Sequence, residues 1–148
     1  MNERFELTGR TVIITGGGKG IGKVYTQEFA RAGARVVAVD IDGAAAKGVA
    51  EALAAEGFAT LGLTTDIASE ESTTAMAQAA LDRFGAIDVL VNNASLMSVL
   101  PRRSWLEIPV DEWDRVMAVN LRGMFLSSAA SDFMTGQTIN VDGGKAMH

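Results

Sequence analysis

At 148 residues the chain has the size of one domain and can enclose a core of its own. It has no cysteine, which excludes disulfides, thiolate metal sites and thiol nucleophiles, and its net charge of −5 argues against nucleic acid, whose phosphates call for a basic face. The single histidine, His148, is the last residue, so no histidine triad or histidine metal cluster can be assembled, and no metal site is expected. No apolar run approaches the ~18 residues that span a bilayer, and MNERFELTGR lacks the apolar stretch of a signal peptide. A cytoplasmic protein with no membrane partner is therefore expected.

Along the chain, strand and helix signals alternate. Thr11 to Thr15 is a β-branched run ending in glycines, the mark of a buried parallel strand. Helical spacing follows from Ile21 to Ala32 and stops at Gly33. RVVAVD, Arg35 to Asp40, predicts a second strand, and the alanine-rich Ala44 to Glu56 a second helix, closed by Gly57. Phe58 to Leu63 predicts a weaker strand interrupted by Gly62. Glu70 to Phe84 predicts a third helix ending at Gly85, and Ile87 to Val91 a fourth strand. Three such alternations, with crossovers long enough for parallel pairing, predict a doubly wound α/β sheet of Rossmann type.

Beyond Asn92 the pattern changes. Leu96 to Pro109 is a long connection holding two prolines, and its Arg102-Arg103 pair reads as a solvated loop. Trp113, Val116, Met117, Leu121, Met124 and Phe125 recur at helical intervals, which predicts one helix from Asp111 to about Ala130. A last short strand is expected over Thr138 to Val141, ended by two glycines.

The chemistry-bearing stretch is TGGGKGIG, Thr15 to Gly22, between the first strand and the first helix. Bare backbone at Gly16, Gly20 and Gly22 lets a pyrophosphate approach the amides of a helix N-terminus, where the dipole favours an anion. A plain glycine turn would show the same residues, but the flanking strand and helix, with Asp40 at the end of strand two, favour a dinucleotide. A carboxylate at Asp40 can accept from the ribose hydroxyls and repel a 2'-phosphate, favouring NAD over NADP; it can also be an ordinary turn residue before Asp42-Gly43. Lys19, a cation in the loop, pulls the other way.

TGGGKGIG, Asp40, Asp66, Asn92-Asn93-Ala94, VMAVNLRG around Asn120 and TGQTINVDGG together resemble the short-chain dehydrogenase/reductase family, in the family's order. The resemblance implies an NAD(P)-dependent oxidoreductase moving hydride between nicotinamide and a secondary alcohol or ketone. It implies cofactor contacts from Gly16, Gly18, Lys19, Gly20, Ile21 and Gly22, from Asp40 and Ile41, from Asp66 to the adenine amino group and Ile67 to its ring, and from Asn92, Asn93 and Ala94. Asn120 matches the asparagine that holds a water in the family's proton relay; from the residues alone, it can equally be an amide capping a neighbouring loop. Ser95 stands where the family has glycine. The family also assembles as homo-oligomers through the Asn120 helix and its neighbour.

The family's catalytic serine, tyrosine and lysine are not matched. The one tyrosine, Tyr25, lies in the first helix with Phe29 four positions on, and reads as a packing aromatic. Phe125-Leu126 fits both the Asn120 helix and the segment that leads into the family's last strand, which suggests a junction near 125–128 that skips strands five and six. On that reading residues 1–148 form one truncated nucleotide-binding domain, catalytically inactive as written; the alternative is a non-catalytic nucleotide-binding remnant or an interaction partner of an intact relative. Strand four would then show an open edge, unless the last strand re-pairs with it or with another chain.

Overall fold

The computed structural model describes residues 7–97, 100–129 and 138–140. Five strands form one parallel sheet: β1 (Thr11–Thr15), β2 (Arg35–Asp40), β3 (Thr60–Thr64), β4 (Val89–Asn92) and β5 (Thr138–Asn140), in the order β3-β2-β1-β4-β5. Between them run α1 (Gly20–Arg31), α2 (Gly43–Ala55) and α3 (Glu70–Phe84). The doubly wound α/β architecture expected from the sequence is the one observed.

Side-chain alternation along the strands builds two cores rather than one. Val12, Ile14, Val36 and Val91 point to one face and meet Ala30, Val49 and Leu53 of α1 and α2. Ile13, Val37, Val39 and Leu90 point to the other and meet Met76, Ala77 and Ala80 of α3. Because both faces are covered, β1 is buried at every position and the middle of β2, Val36 to Val39, is buried and apolar throughout, as parallel strands require. Burying each such side chain contributes about 1.5–3 kcal/mol.

Two strand boundaries shift from expectation. β3 starts at Thr60, not Phe58, because the Phe58 amide donates to Leu53 O and helps close α2. β4 starts at Val89, not Ile87: the Asp88 carboxylate accepts from Thr11 N at 2.8 Å, so a side chain takes an amide at the margin of the ladder. Burial alone raises the Asp88 pKa. The Thr11 and Arg10 hydrogen bonds, with the charges of Arg10 and Arg35, outweigh it and hold the group below its ordinary value.

The predicted single helix after Asp111 is divided. It runs as α4 (Val110–Met117), a π-helical turn at Ala118–Arg122, and α5 (Gly123–Ala129). Hydrophobic spacing does not register a widened turn, and such turns are frequent at functional sites. A 3₁₀ turn, Trp105–Glu107, precedes α4, and Arg102 is exposed while Arg103 pairs with Glu112 at 3.2 Å. α5 crosses the suspected junction without a break, with Ser128 Oγ donating to Met124 O at 2.8 Å.

The open edge expected on β4 is filled. β5 lies parallel to it, with Leu90 opposite Thr138, Val91 opposite Ile139 and Asn92 opposite Asn140. The last strand re-pairs with strand four rather than with another chain; Val141, assigned to that strand from sequence, lies outside the described residues. Among the described residues no helix is long and apolar enough to cross a membrane.

Candidate nucleotide site

The site residues gather at the carboxyl ends of β1 to β4, the edge where open α/β sheets hold ligands. β1 ends at Thr15, and Gly16 turns the chain with φ +65, a left-handed conformation that disfavours a side chain. Gly17 N donates to Val39 O at 2.9 Å, hanging the loop from β2. A Cβ on Gly22 would run into the Gly16 carbonyl oxygen, and one on Gly18 would lie 2.8 Å from Ala46 N. The loop is therefore closed on itself and seated against α2. The buried Thr26 hydroxyl, 3.0 Å from both Gly17 O and Gly22 O, ties it to α1.

The three helix starts differ in one respect. α2 is capped by Asp42, which accepts from Ala45 N at 3.1 Å, and α3 by Ser69, which accepts from Ser72 N at 3.2 Å. The N-cap of α1 is Lys19, which supplies no side-chain acceptor. The first-turn amides of α1 thus keep their capacity for an external anion, and the helix dipole favours one there. Gly16, Gly18, Lys19, Gly20, Ile21 and Gly22 all lie in this turn, with Ile21 57% exposed beside it.

Asp40 closes β2 and is half-buried. Its Oδ2 accepts from Gly18 N at 3.1 Å and its Oδ1 from Asp42 N at 3.0 Å, so it joins the glycine loop to the start of α2. A carboxylate accepts about four hydrogen bonds, which leaves capacity for ribose hydroxyls. Ile41 beside it is 69% exposed. Lys19 is not a free cation: its Nζ lies 2.5 Å from Asp42 Oδ2. The hydrogen bond to Asp42, and then its charge, raise the Lys19 pKa, and the same hydrogen bond lowers that of Asp42.

After β3, exposed Asp66 accepts from Ala68 N at 2.9 Å in a tight turn. Ile67 is only 6% exposed, and a Cβ on Gly123 would lie 2.9 Å from its Cδ1. Its side chain packs at the start of α5, where Gly123 makes room for it.

At the end of β4, Asn93 is a clamp. Its Nδ2 donates to Thr15 O at 2.9 Å and lies 3.4 Å from Gly16 O, while Asn93 N and Ala94 N donate to the Thr15 hydroxyl at 3.0 and 3.1 Å. Asn92 donates weakly to Ser128 Oγ at 3.5 Å, and its buried Oδ1 has no hydrogen-bond partner among the described residues. Asn120 brackets one residue of the following loop: its Oδ1 accepts from Leu96 N at 2.7 Å and its Nδ2 donates to Leu96 O at 3.4 Å. The loop-capping alternative for this amide is thus realised, in the middle of the π turn, and Ser95 beside the bracketed residue is exposed. Tyr25 and Phe29 pack against the core on the α1 face.

Thr15 and Thr26 were not singled out from sequence, although their hydroxyls hold the loop together. The available signal was a threonine ending an otherwise apolar strand and another on the buried side of α1. Among the described residues no cluster of three or more histidines, cysteines or carboxylates could hold a metal.

Comparison with known proteins agrees with this geometry. A family model described as short chain dehydrogenase matches residues 10–145. A protein of Thermotoga maritima named as an oxidoreductase is 41% identical over 122 residues, 82% of this chain and 46% of its own length. A D-threitol dehydrogenase of Mycolicibacterium smegmatis is 36% identical over 126 residues, 85% of this chain and 47% of the relative. The crystal structure of a 3-ketoacyl-(acyl-carrier-protein) reductase from Brucella melitensis complexed with NADH superposes with a TM-score of 0.78 at 38% identity, covering 83% of this chain and 49% of that one. The chain spans just under half the length of these relatives.

Proposed function

The chain belongs to the short-chain dehydrogenase family, and from that premise we propose that its glycine loop and Asp40 hold the adenosine-diphosphate part of NAD. The observation that carries the reading is the start of α1: a helix whose N-cap offers no side-chain acceptor and whose Gly22 lies so close to the Gly16 carbonyl of the loop that it tolerates no Cβ. The amides there receive the pyrophosphate. Asp40 accepts from the ribose hydroxyls and disfavours a 2'-phosphate. Asp66 is the exposed acceptor for the adenine amino group. Asn93 acts one step back, fixing the loop through Thr15, and Asn92 and Ala94 border the site at the end of β4. When bound, the cofactor supplies the nicotinamide carbon that gives or takes a hydride.

For the protein as a lineage, the substrate is a small secondary alcohol or ketone. This is supported by the names of two proteins the chain is similar to: D-threitol carries secondary hydroxyls, and a 3-ketoacyl group carries a ketone. The proposal for these 148 residues by themselves is narrower. Proton transfer to a carbonyl oxygen needs a poised acid, and Tyr25, the only tyrosine, is packed against the core instead. The residues present therefore hold nucleotide without turnover, and Asn120 serves to fix the loop after β4. We assign this work to the cytoplasm, and no nucleic-acid or membrane partner enters the reading.

Calorimetric titration with NAD, paired with an assay on a panel of secondary alcohols and ketones, tests it. Saturable, weak binding with no NADH production is expected. Absence of any binding, or turnover by the 148-residue chain alone, would refute the corresponding half of the proposal. The intact mass of the protein from its natural source decides whether a catalytic segment accompanies these residues; 15.6 kDa is expected if they stand alone.

A further inference from the structure

The glycine loop carries one cation, and its partner is fixed by other interactions. Asp42 accepts from Ala45 N through Oδ1 while its Oδ2 contacts Lys19 Nζ at 2.5 Å. Its own amide donates to Asp40 Oδ1 at 3.0 Å. The next residue, Gly43, is pressed so closely on Thr64 of β3 that a Cβ there would overlap the threonine hydroxyl. Cap, backbone bond and close approach hold the Asp42 carboxylate where it is, and Lys19 comes to it. The partial charge at the head of α2 and the acceptor for Lys19 are thus served by a single side chain.

Resting on the reading of the site as a nucleotide site, we infer that Asp42 is a positioning residue for cofactor choice: it holds Lys19 in an ion pair and so withholds from a 2'-phosphate the one cation of the glycine loop. Asp40 disfavours the phosphate by repulsion. Asp42 acts differently, by occupying the group that would otherwise attract it. Glycine loop, Asp40 and Asp42 then work together, and Lys19 does not favour NADP as its charge alone would suggest. Lys23, one turn further along α1, lines the groove between α1 and α2 with Gly18, and its amide donates to Lys19 O at 3.0 Å.

The test uses two probes that differ only in the 2'-phosphate, 5'-AMP and adenosine 2',5'-bisphosphate, with their Kd values measured on the 148-residue chain. Asp42→Asn keeps the helix cap, since asparagine caps as well as aspartate, but releases Lys19. The ratio of bisphosphate Kd to AMP Kd is expected to fall about fivefold, the upper range for an exposed ion pair. In a Lys19→Met background the same substitution is expected to move the ratio by less than about twofold, with Lys23 still present in both. Lys19→Met alone is expected to leave the ratio nearly unchanged, because the pair already withholds the cation.

Equal falls in both backgrounds would show Asp42 acting only as a bare charge and overturn the inference. A strong loss of bisphosphate affinity in Lys19→Met alone would also overturn it, and this variant leaves the α2 cap intact. Matching far-UV circular dichroism and unfolding midpoints across the variants are the expected sign that the fold is preserved, and taking the ratio cancels any change in 5'-phosphate affinity common to both probes. Failure of the wild-type chain to bind either probe is a different result: it removes the nucleotide reading itself, and this inference with it.

Discussion

Helices α2 and α4 both carry apolar residues at helical spacing, yet α2 buries Ala46, Val49, Ala50 and Leu53 while α4 buries none of its eight residues. On α4 and its continuation, Val110, Trp113, Leu121 and Phe125 are 76%, 55%, 57% and 68% exposed. α2 lies over β2 and β3, two strands whose side chains on that face need cover, and the sheet supplies its partner. The α4 segment meets the fold mainly at its distal end, where α5 reaches α3, Gly123 accommodates Ile67 and Asn120 brackets Leu96. An amphipathic pattern states which face a helix can bury; only a neighbouring surface makes that burial happen. The shallow hollow of about 570 Å³ along α4, lined by Asp114, Met117 and Leu121 among others, follows from the missing cover and touches none of the site residues.

The comparison can be broken most directly by truncating one side chain in each region. Leu53→Ala is expected to cost about 2–5 kcal/mol in denaturant unfolding, through lost burial and the cavity left under α2. Phe125→Ser, of larger volume change, is expected to stay within about 0.5 kcal/mol, since the ring is already in solvent. A Phe125 penalty equal to that of Leu53 would mean that the α5 face is covered in solution.

A smaller effect is expected at the clamp between β1 and β4. Thr15→Val removes the acceptor for Asn93 N and Ala94 N and is expected to cost about 1–3 kcal/mol, the penalty of leaving such groups unmet. Nucleotide affinity should fall with it, because Gly16 is held from the same side by Asn93. Loss of stability without loss of affinity would separate the clamp from the loop.

The smallest effect belongs to Asp88. Its folded pKa lies below the unfolded value, so its contribution is complete above the ordinary carboxylate range and is lost as pH falls through the folded value. Asp88→Asn should therefore flatten the decline in stability below about pH 4 while leaving the slope near neutrality unaltered. Chemical denaturation at a series of pH values reads this directly, and an unchanged acid limb would remove Asp88 from the account.

Much of the first region was legible in the sequence because its determinants are local. β-branched runs select extended backbone, alanine-rich stretches select helix, and glycines at 16, 20, 33, 57 and 85 stand where φ is positive. The family's order of motifs then placed the glycine loop, Asp40, Asp66, the Asn92–Ala94 stretch and Asn120. What local reading could not supply was the role of atoms far apart in the chain. Asn93 as a clamp depends on Thr15, 78 positions away, and Asn120 as a bracket depends on Leu96, 24 positions away. Lys19 reads as a free cation until α2 brings Asp42 to it.

By itself, then, the sequence determined which segments become strand and helix, where the chain must turn without side chains, and that one tyrosine is available and lies in α1. The tertiary structure alone decided that β5 pairs with β4, that the long helix widens into a π turn at Asn120, that Ile67 packs at Gly123, and that Lys19 is paired. The physical reason is one of range. Backbone propensity acts within a few residues, whereas strand neighbours, helix covers and ion pairs are settled by which surfaces the folded sheet brings into reach.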